Sequence, residues 1–217
     1  MYTFVFDFDQ TLIMGHSGGI PDISNNYDTD DCIILELIKM FNALKKKSIS
    51  IYINTRGIAK EVKKYLKHRF EKLGENSDNY IKDVMGAVFK NEISNGIFDD
   101  EEFLQIDAIV ENKLKEQGLN DDQLKDPSSR IWAFQKSAFL DHICELEKVA
   151  NENVYFFDDT AINILFAKSC GFSNSFVIFD PDSPHDHPDF RKPEFNPENF
   201  SYLAFTIMLV YKILQTF

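Results

Sequence analysis

The first twelve residues, 1–12, constrain the fold of this chain more than any other stretch. The apolar segment Tyr2–Phe6 predicts a short buried strand, and the chain runs from it directly into Asp7 and Asp9. Strand alternation places these two carboxylates on the same side. Ionised carboxylates at the end of a buried strand are costly unless hydrogen bonds or a cation compensate them. A divalent metal ion held by oxygen ligands is the natural partner, and two solvated acids in a turn are the alternative.

Composition limits the class of protein. A length of 217 residues with 44% hydrophobic residues suits one α/β domain with a small insertion. The net charge of −12 argues against an electrostatically driven nucleic-acid binder. The three cysteines are few and far apart, as is typical of a reducing compartment such as the cytoplasm. No basic region followed by an apolar run opens the chain, so a secretory signal is not predicted.

Short apolar segments alternate with longer amphipathic ones along the chain. This alternation predicts right-handed crossovers and a Rossmann-like, doubly wound parallel sheet in the α/β class. The predicted strands cover 2–6, 48–54, 84–89, 154–157 and 176–179, and the predicted helices cover about 31–47, 59–73, 99–117, 131–150 and 162–169.

Three of these strands are followed directly by polar residues, and a lysine lies in the helix that precedes the fourth strand. Thr55 comes directly after the second strand, and Asp158 and Asp159 come after the fourth. Lys136 lies in the helix that precedes the fourth strand. Taken one at a time, Thr55 could cap a helix, Lys136 could be solvated, and Asp158 could be a helix cap. Because ligands bind beyond the carboxyl ends of parallel strands, we expect these groups to converge with Asp7.

The order of these features resembles the haloacid dehalogenase-like (HAD) superfamily of phosphohydrolases. The four family motifs are matched by DFDQT at 7–11, NTRG at 54–57, Lys136, and DDTAIN at 158–163. The resemblance covers about residues 1–180, and it is most specific at the first and fourth motifs. It implies an HAD-like phosphatase core with a small helical insertion at about 90–130.

The resemblance implies a magnesium-dependent phosphomonoester hydrolase that acts through an aspartyl-phosphate intermediate. Asp7 would be the nucleophile, Asp9 would carry the proton, and Lys136 would neutralise charge. An acid at the position of Asp9 favours phosphoester chemistry, since dehalogenases of the superfamily lack it. The implied Mg²⁺ ligands are Asp7, Asp9 through its carbonyl, Asp158 and Asp159, and the implied substrate-binding residues are Thr11, Thr55, Arg56 and Asn163.

The insertions bear on the substrate. About 40 residues separate Phe89 from Ile131, enough for a small helical module but not for a full lid. An open site of this minimal-cap type favours a phosphorylated protein, with phosphotyrosine slightly ahead of phosphoserine. Some similar open-site phosphatases are bacterial effectors delivered into host cells. A small phosphomonoester such as a sugar phosphate or nucleotide, and a catalytically idle interaction module, are the alternatives.

Residues 181–217 are expected to form a C-terminal loop and an apolar helix packed on the core. His185 and His187 lie among several aspartates, a pattern more typical of a solvated loop than of a metal site. The segment 200–217 is nearly all apolar but is interrupted by polar residues. A docked helix is therefore predicted, with contact to a membrane as the minor alternative.

Overall fold

Five parallel strands form the centre of the molecule. A computed structural model describes residues 1–13, 16–24, 31–95, 98–178 and 202–217, and in these ranges the strand order is β3-β2-β1-β4-β5. The predicted α/β, Rossmann-like doubly wound fold is confirmed. The strands are β1 (Thr3–Phe6), β2 (Ser50–Ile58), β3 (Ile81–Ala87), β4 (Val154–Asp158) and β5 (Ser175–Val177). The helices are α1 (Asp31–Lys46), α2 (Ala59–Glu71), α3 (Glu92–Asn95), α4 (Asp100–Glu116), α5 (Pro127–Glu147), α6 (Ala161–Ser169) and α7 (Tyr202–Leu214).

Strand β1 lies at the middle of the sheet and is buried on both faces. Phe4 and Phe6 point into the core layer that α1, α2 and α7 cover, whereas Val5 points into the layer under α5 and α6. The ring of Phe6 stacks on that of Phe157 in β4 at 4.9 Å between centroids. By the same alternation Asp7, next after β1, lies on the side of Val5 and therefore faces α5.

Three element boundaries differ from the predicted ones for identifiable reasons. Strand β2 continues past Asn54 to Ile58, because Ile58 still pairs with Ala87 of β3 after a register shift. Strand β3 ends at Ala87, since the carboxylate of Glu92 accepts the next two backbone N–H groups in a turn. Helix α5 begins at Pro127, with the Asp126 side chain as its N-cap.

The insertion between β3 and α5 is fixed to the core by Arg130. This guanidinium is 7% exposed and donates two hydrogen bonds, of 2.6 and 2.7 Å, to the carboxylate of Asp107 in α4. It also donates to the Leu124 carbonyl. Because a bidentate arginine–carboxylate pair fixes distance and orientation, α4 forms a wall against α5.

Replacing Arg130 with alanine is expected to lower the free energy of unfolding by about 2–3 kcal/mol, because the largely buried Asp107 carboxylate loses its partner. Urea denaturation measures this change. Lys115→Ala is the matched control, since the contacts of Lys115 with Glu111 and Asp121 are exposed and should matter little. Equal effects of the two substitutions would contradict this role of Arg130.

The C-terminal helix α7 packs on α1. Val210 and Leu214 are buried in the core, and the Thr206 hydroxyl donates to the Thr11 carbonyl at 3.0 Å. The loop with His185 and His187 lies outside the described residues. Among the described helices, none has the length and apolar character that crossing a bilayer requires.

Candidate functional site

The candidate site lies where the direction of the strand order changes. The chain passes from β1 to β2 and β3 on one side, and β4 and β5 lie on the other. The carboxyl ends of β1 and β4 therefore border a crevice, the usual ligand position in such sheets. Asp7 follows β1 there, and its backbone N–H donates to the Phe157 carbonyl at 2.8 Å. Asp158 ends β4 directly opposite.

Lys136 joins the acids that follow the two strands. Its ammonium donates to Asp7 Oδ1 at 2.7 Å and to Asp158 Oδ2 at 2.5 Å, and the lysine is 3% exposed. Lys136 lies one helical turn before Leu140 on the stripe of α5 that packs on the sheet. The Asn54 side-chain amide also donates to the Lys136 carbonyl at 2.9 Å, which ties α5 to β2 at this level.

Three carboxylates share this buried space with one ammonium group. One oxygen of each of Asp7, Asp158 and Asp159 lies within 4.8 Å of the others. Burial, together with the charge of Asp158, raises the pKa of Asp7 to about 7 despite the neighbouring Lys136. Burial and the neighbouring acids also raise the pKa of Asp159 well above its usual value. For Lys136, burial opposes the charged form, but the two carboxylates outweigh it and raise the pKa.

This excess of negative charge fits a divalent cation. Only one of the three carboxylate charges is balanced by Lys136, and the donor set consists of oxygens, which Mg²⁺ prefers. Asp158 is held in place by the Thr160 N–H at 2.8 Å and by the Asn163 amide at 2.9 Å. Asn163 donates to one carboxylate oxygen of Asp158, and Lys136 donates to the other. Because both oxygens accept hydrogen bonds, the orientation of the Asp158 carboxylate is fixed.

Asp9 is oriented by the loop that follows β1. Its carboxylate accepts hydrogen bonds from the Ser17 N–H and the Ser17 hydroxyl, both at 3.0 Å. The His16 ring nitrogen Nδ1 lies 3.2 Å from the same carboxylate, and this contact raises the pKa of His16. Three donors thus converge on Asp9, which lines the pocket beside Asp7.

Close backbone packing fixes this loop on the sheet. The Gly19 carbonyl accepts the Ile58 N–H at 2.7 Å, and the Gly19 N–H donates to the Ser17 hydroxyl at 3.2 Å. A Cβ atom on Gly57 would lie 2.8 Å from the Gly19 carbonyl oxygen, so a side chain there would push the loop away. The position of Asp9 therefore depends on glycines in the loop and in β2.

Around these acids is a pocket of about 160 Å³. Thr55 lines it and is buried, with its hydroxyl accepting the Gly57 N–H at 2.9 Å. Arg56 also lines it, and its guanidinium donates to the Ile93 carbonyl and the Ser128 hydroxyl. The complete lining consists of Asp7, Asp9, Gln10, His16, Thr55, Arg56, Ser129, Trp132, Lys136, Asp159, Thr160 and Asn163.

The structure brings most of the sequence-predicted site residues together, with one exception. Thr11 was predicted to bind substrate, but it is fully buried and is not among the residues that line the pocket. Its carbonyl instead accepts the Thr206 hydroxyl. Asp158 does not line the pocket either, yet it reaches the site through Lys136 and Asn163.

Several residues of the site were missed from the sequence. Trp132 lies one turn before Lys136 on α5, so the helical period could have indicated it. Its indole N–H donates to the Ile93 carbonyl, which Arg56 also uses. For His16 and Ser17 no local signal exists, because their role depends on how an irregular loop folds back on Asp9.

No match to this chain was found among protein-family models, curated proteins or solved structures.

Proposed function

We propose that the chain is a magnesium-dependent phosphomonoester hydrolase that acts through an aspartyl-phosphate intermediate on Asp7. One observation carries the proposal: Asp7 meets Lys136, Asp158 and Asp159 at the carboxyl edge of β1, with the oriented carboxylate of Asp9 in the same pocket. The motif resemblance to HAD phosphohydrolases supports the same chemistry.

Each side chain has a defined role in this reaction. An Asp7 oxygen attacks phosphorus, and as this bond forms the bond to the leaving oxygen breaks. Asp9 gives its proton to the leaving oxygen, then takes one from the water that attacks phosphorus and releases Asp7. Lys136 offsets negative charge on the phosphoryl oxygens. Mg²⁺, held by Asp7, the Asp9 carbonyl and the Asp158–Asp159 pair, would supply charge that reduces repulsion between two anions.

The size of the pocket supports a phosphorylated protein as substrate. Its 160 Å³ lies below the about 300–1,000 Å³ of pockets that enclose a whole small ligand. A phosphoryl group fits, while the rest of the substrate lies outside. Trp132 lines the pocket but is only 1% exposed, so the preference for phosphotyrosine that we propose rests on the open site and not on an aromatic wall.

The compartment is part of the same proposal. Cys144 and Cys170 are free, half-buried thiols, and they suit a reducing environment. We infer a cytoplasmic site of action, either in the producing cell or in a host cell that the protein enters.

The proposal is tested by comparing kcat/KM for an aryl phosphate, phosphotyrosine and phosphoserine peptides, sugar phosphates and nucleotides, with Mg²⁺ and with EDTA. We expect magnesium-dependent turnover, with the phosphotyrosine peptides favoured. Sugar phosphates preferred by orders of magnitude would contradict the protein substrate. No hydrolysis of any compound would favour the idle interaction module.

Ser17→Ala should slow turnover about tenfold, because Asp9 loses one of its two hydrogen bonds from Ser17. The loss should be larger for a phosphopeptide, whose leaving oxygen needs a proton, than for an aryl phosphate with an acidic phenol. Steady-state kinetics measure both. Ser17→Thr is the matched control, since it keeps the hydroxyl and should retain activity. Equal activity of Ser17→Ala and wild type would contradict this role of Ser17.

A further inference from the structure

The solvent side of helix α2 carries four lysines on one face. Lys60, Lys63, Lys64 and Lys67 follow the spacing i, i+3, i+4 and i+7, and all four are exposed. The opposite side of α2 is buried against the sheet. We call these four residues the lysine stripe.

The charge of this helix is opposite to that of the chain. Residues 59–72 hold six of the 23 lysines and arginines but only two glutamates, whereas the whole chain has a net charge of −12. The carboxylates near the stripe neutralise it weakly: Glu61 lies 3.9 Å from Lys64, and Asp83 lies 4.0 Å from Lys63. The stripe therefore attracts anionic groups.

The lysine stripe begins shortly after the pocket-lining end of β2 in the chain. Thr55 and Arg56 line the pocket, β2 ends at Ile58, and α2 starts at the next residue. From Lys60 to Lys67 the helix rises about 10 Å, a distance that about three residues of an extended peptide cover. Arg56 and Lys60 are four residues apart in the chain, so at most about 14 Å separates their backbones. A peptide whose phosphorylated side chain enters the pocket therefore needs about four further extended residues to reach Lys60, the first lysine of the stripe.

We infer that the lysine stripe binds an acidic segment next to the phosphorylated residue of a protein substrate, an inference that rests on the proposed function. A membrane surface is disfavoured, because no large apolar side chain is exposed on α2 to insert beside the lysines. A nucleic acid is disfavoured because its charged backbone would extend beyond the stripe over a chain whose net charge is −12, whereas a short acidic segment contacts the stripe alone. An acidic peptide meets the local charge and needs no apolar anchor.

The test compares two fluorescent phosphotyrosine peptides, one flanked by glutamates and one by alanines. Fluorescence anisotropy in EDTA, where no turnover is expected, gives binding, and kcat/KM with Mg²⁺ is measured for both peptides and for an aryl phosphate. The stripe variant replaces all four lysines with glutamine. The matched control makes the same charge change at four exposed lysines elsewhere, Lys46, Lys148, Lys168 and Lys212.

We expect the stripe variant to lose at least about tenfold in binding and kcat/KM for the acidic peptide only. The control should change both by less than about twofold. Equal losses in the two variants, or equal binding of the two peptides by wild type, would overturn the inference. So would stripe-dependent binding to phosphatidylserine vesicles with unchanged peptide binding. If the peptide binds through the stripe but the aryl phosphate is not hydrolysed, the inference about the lysine stripe is supported and only the proposed hydrolase function is contradicted.

Discussion

Asp7→Asn is expected to lower magnesium-dependent hydrolysis by about 10⁴-fold or more, to background. The amide cannot attack phosphorus, although it has the shape of the carboxylate and its oxygen can still accept from Lys136. Steady-state assay of an aryl phosphate at saturating Mg²⁺ measures the loss. An aryl phosphate is the right substrate, because its leaving group depends least on Asp9.

Two controls keep this result interpretable. Circular dichroism and thermal unfolding should show that Asp7→Asn stays folded, since the substitution removes a buried charge without changing volume. Asp122→Asn makes the same chemical change at an exposed position and should retain full activity. Full activity of Asp7→Asn would refute the mechanism.

Without metal, the protein is expected to become less stable as the pH rises from about 4 to about 7. The pKa of Asp7 is raised from 3.8 to about 7 in the folded state, so the folded protein keeps a proton that the unfolded chain has released. Stability is therefore present at low pH and is lost as the pH rises through the folded-state pKa. The raised pKa of Asp159 acts in the same direction. Urea denaturation in EDTA measures a change on the order of several kcal/mol.

Magnesium should reverse this loss. At pH 8 the carboxylates are ready to hold the ion, and binding to the folded state alone raises the melting temperature. At pH 5 bound protons compete with the metal, so the same Mg²⁺ concentration should stabilise less. Asp7→Asn should flatten the pH dependence in EDTA and reduce the response to Mg²⁺. A melting temperature that Mg²⁺ leaves unchanged at pH 8 would contradict the metal site.

Much of the fold follows from local patterns in the sequence. Continuous apolar runs such as Phe4–Phe6 and Val154–Phe157 identify strands buried on both faces. Boundaries were less predictable where tertiary contacts extend or end an element. Strand β2 runs on through Thr55–Ile58 because β3 still pairs with it, which a single segment cannot indicate.

The acids of the site were predictable because they directly follow strands, and parallel strands bring their ends together. Lys136 was located by its order in the chain, and its position on the apolar stripe of α5 explains why it points inward. Thr11 was expected to bind substrate but lies outside the pocket lining, because its side chain after β1 is fully buried. The hydrogen bonds from His16 and Ser17 to Asp9 depend on how the loop folds back. A loop has no regular spacing of apolar residues, so the sequence does not predict these contacts.

The most direct test of the central claim is to identify the residue that becomes phosphorylated. Asp9→Asn should be mixed with an aryl phosphate and Mg²⁺, quenched, reduced with borohydride and mapped by mass spectrometry. Without the Asp9 carboxylate, water attack on the intermediate slows, so the acyl phosphate should accumulate. We expect homoserine at position 7, dependent on substrate and Mg²⁺. Hydrolysis without any modification of Asp7, or with the phosphoryl group on another residue, would contradict the mechanism.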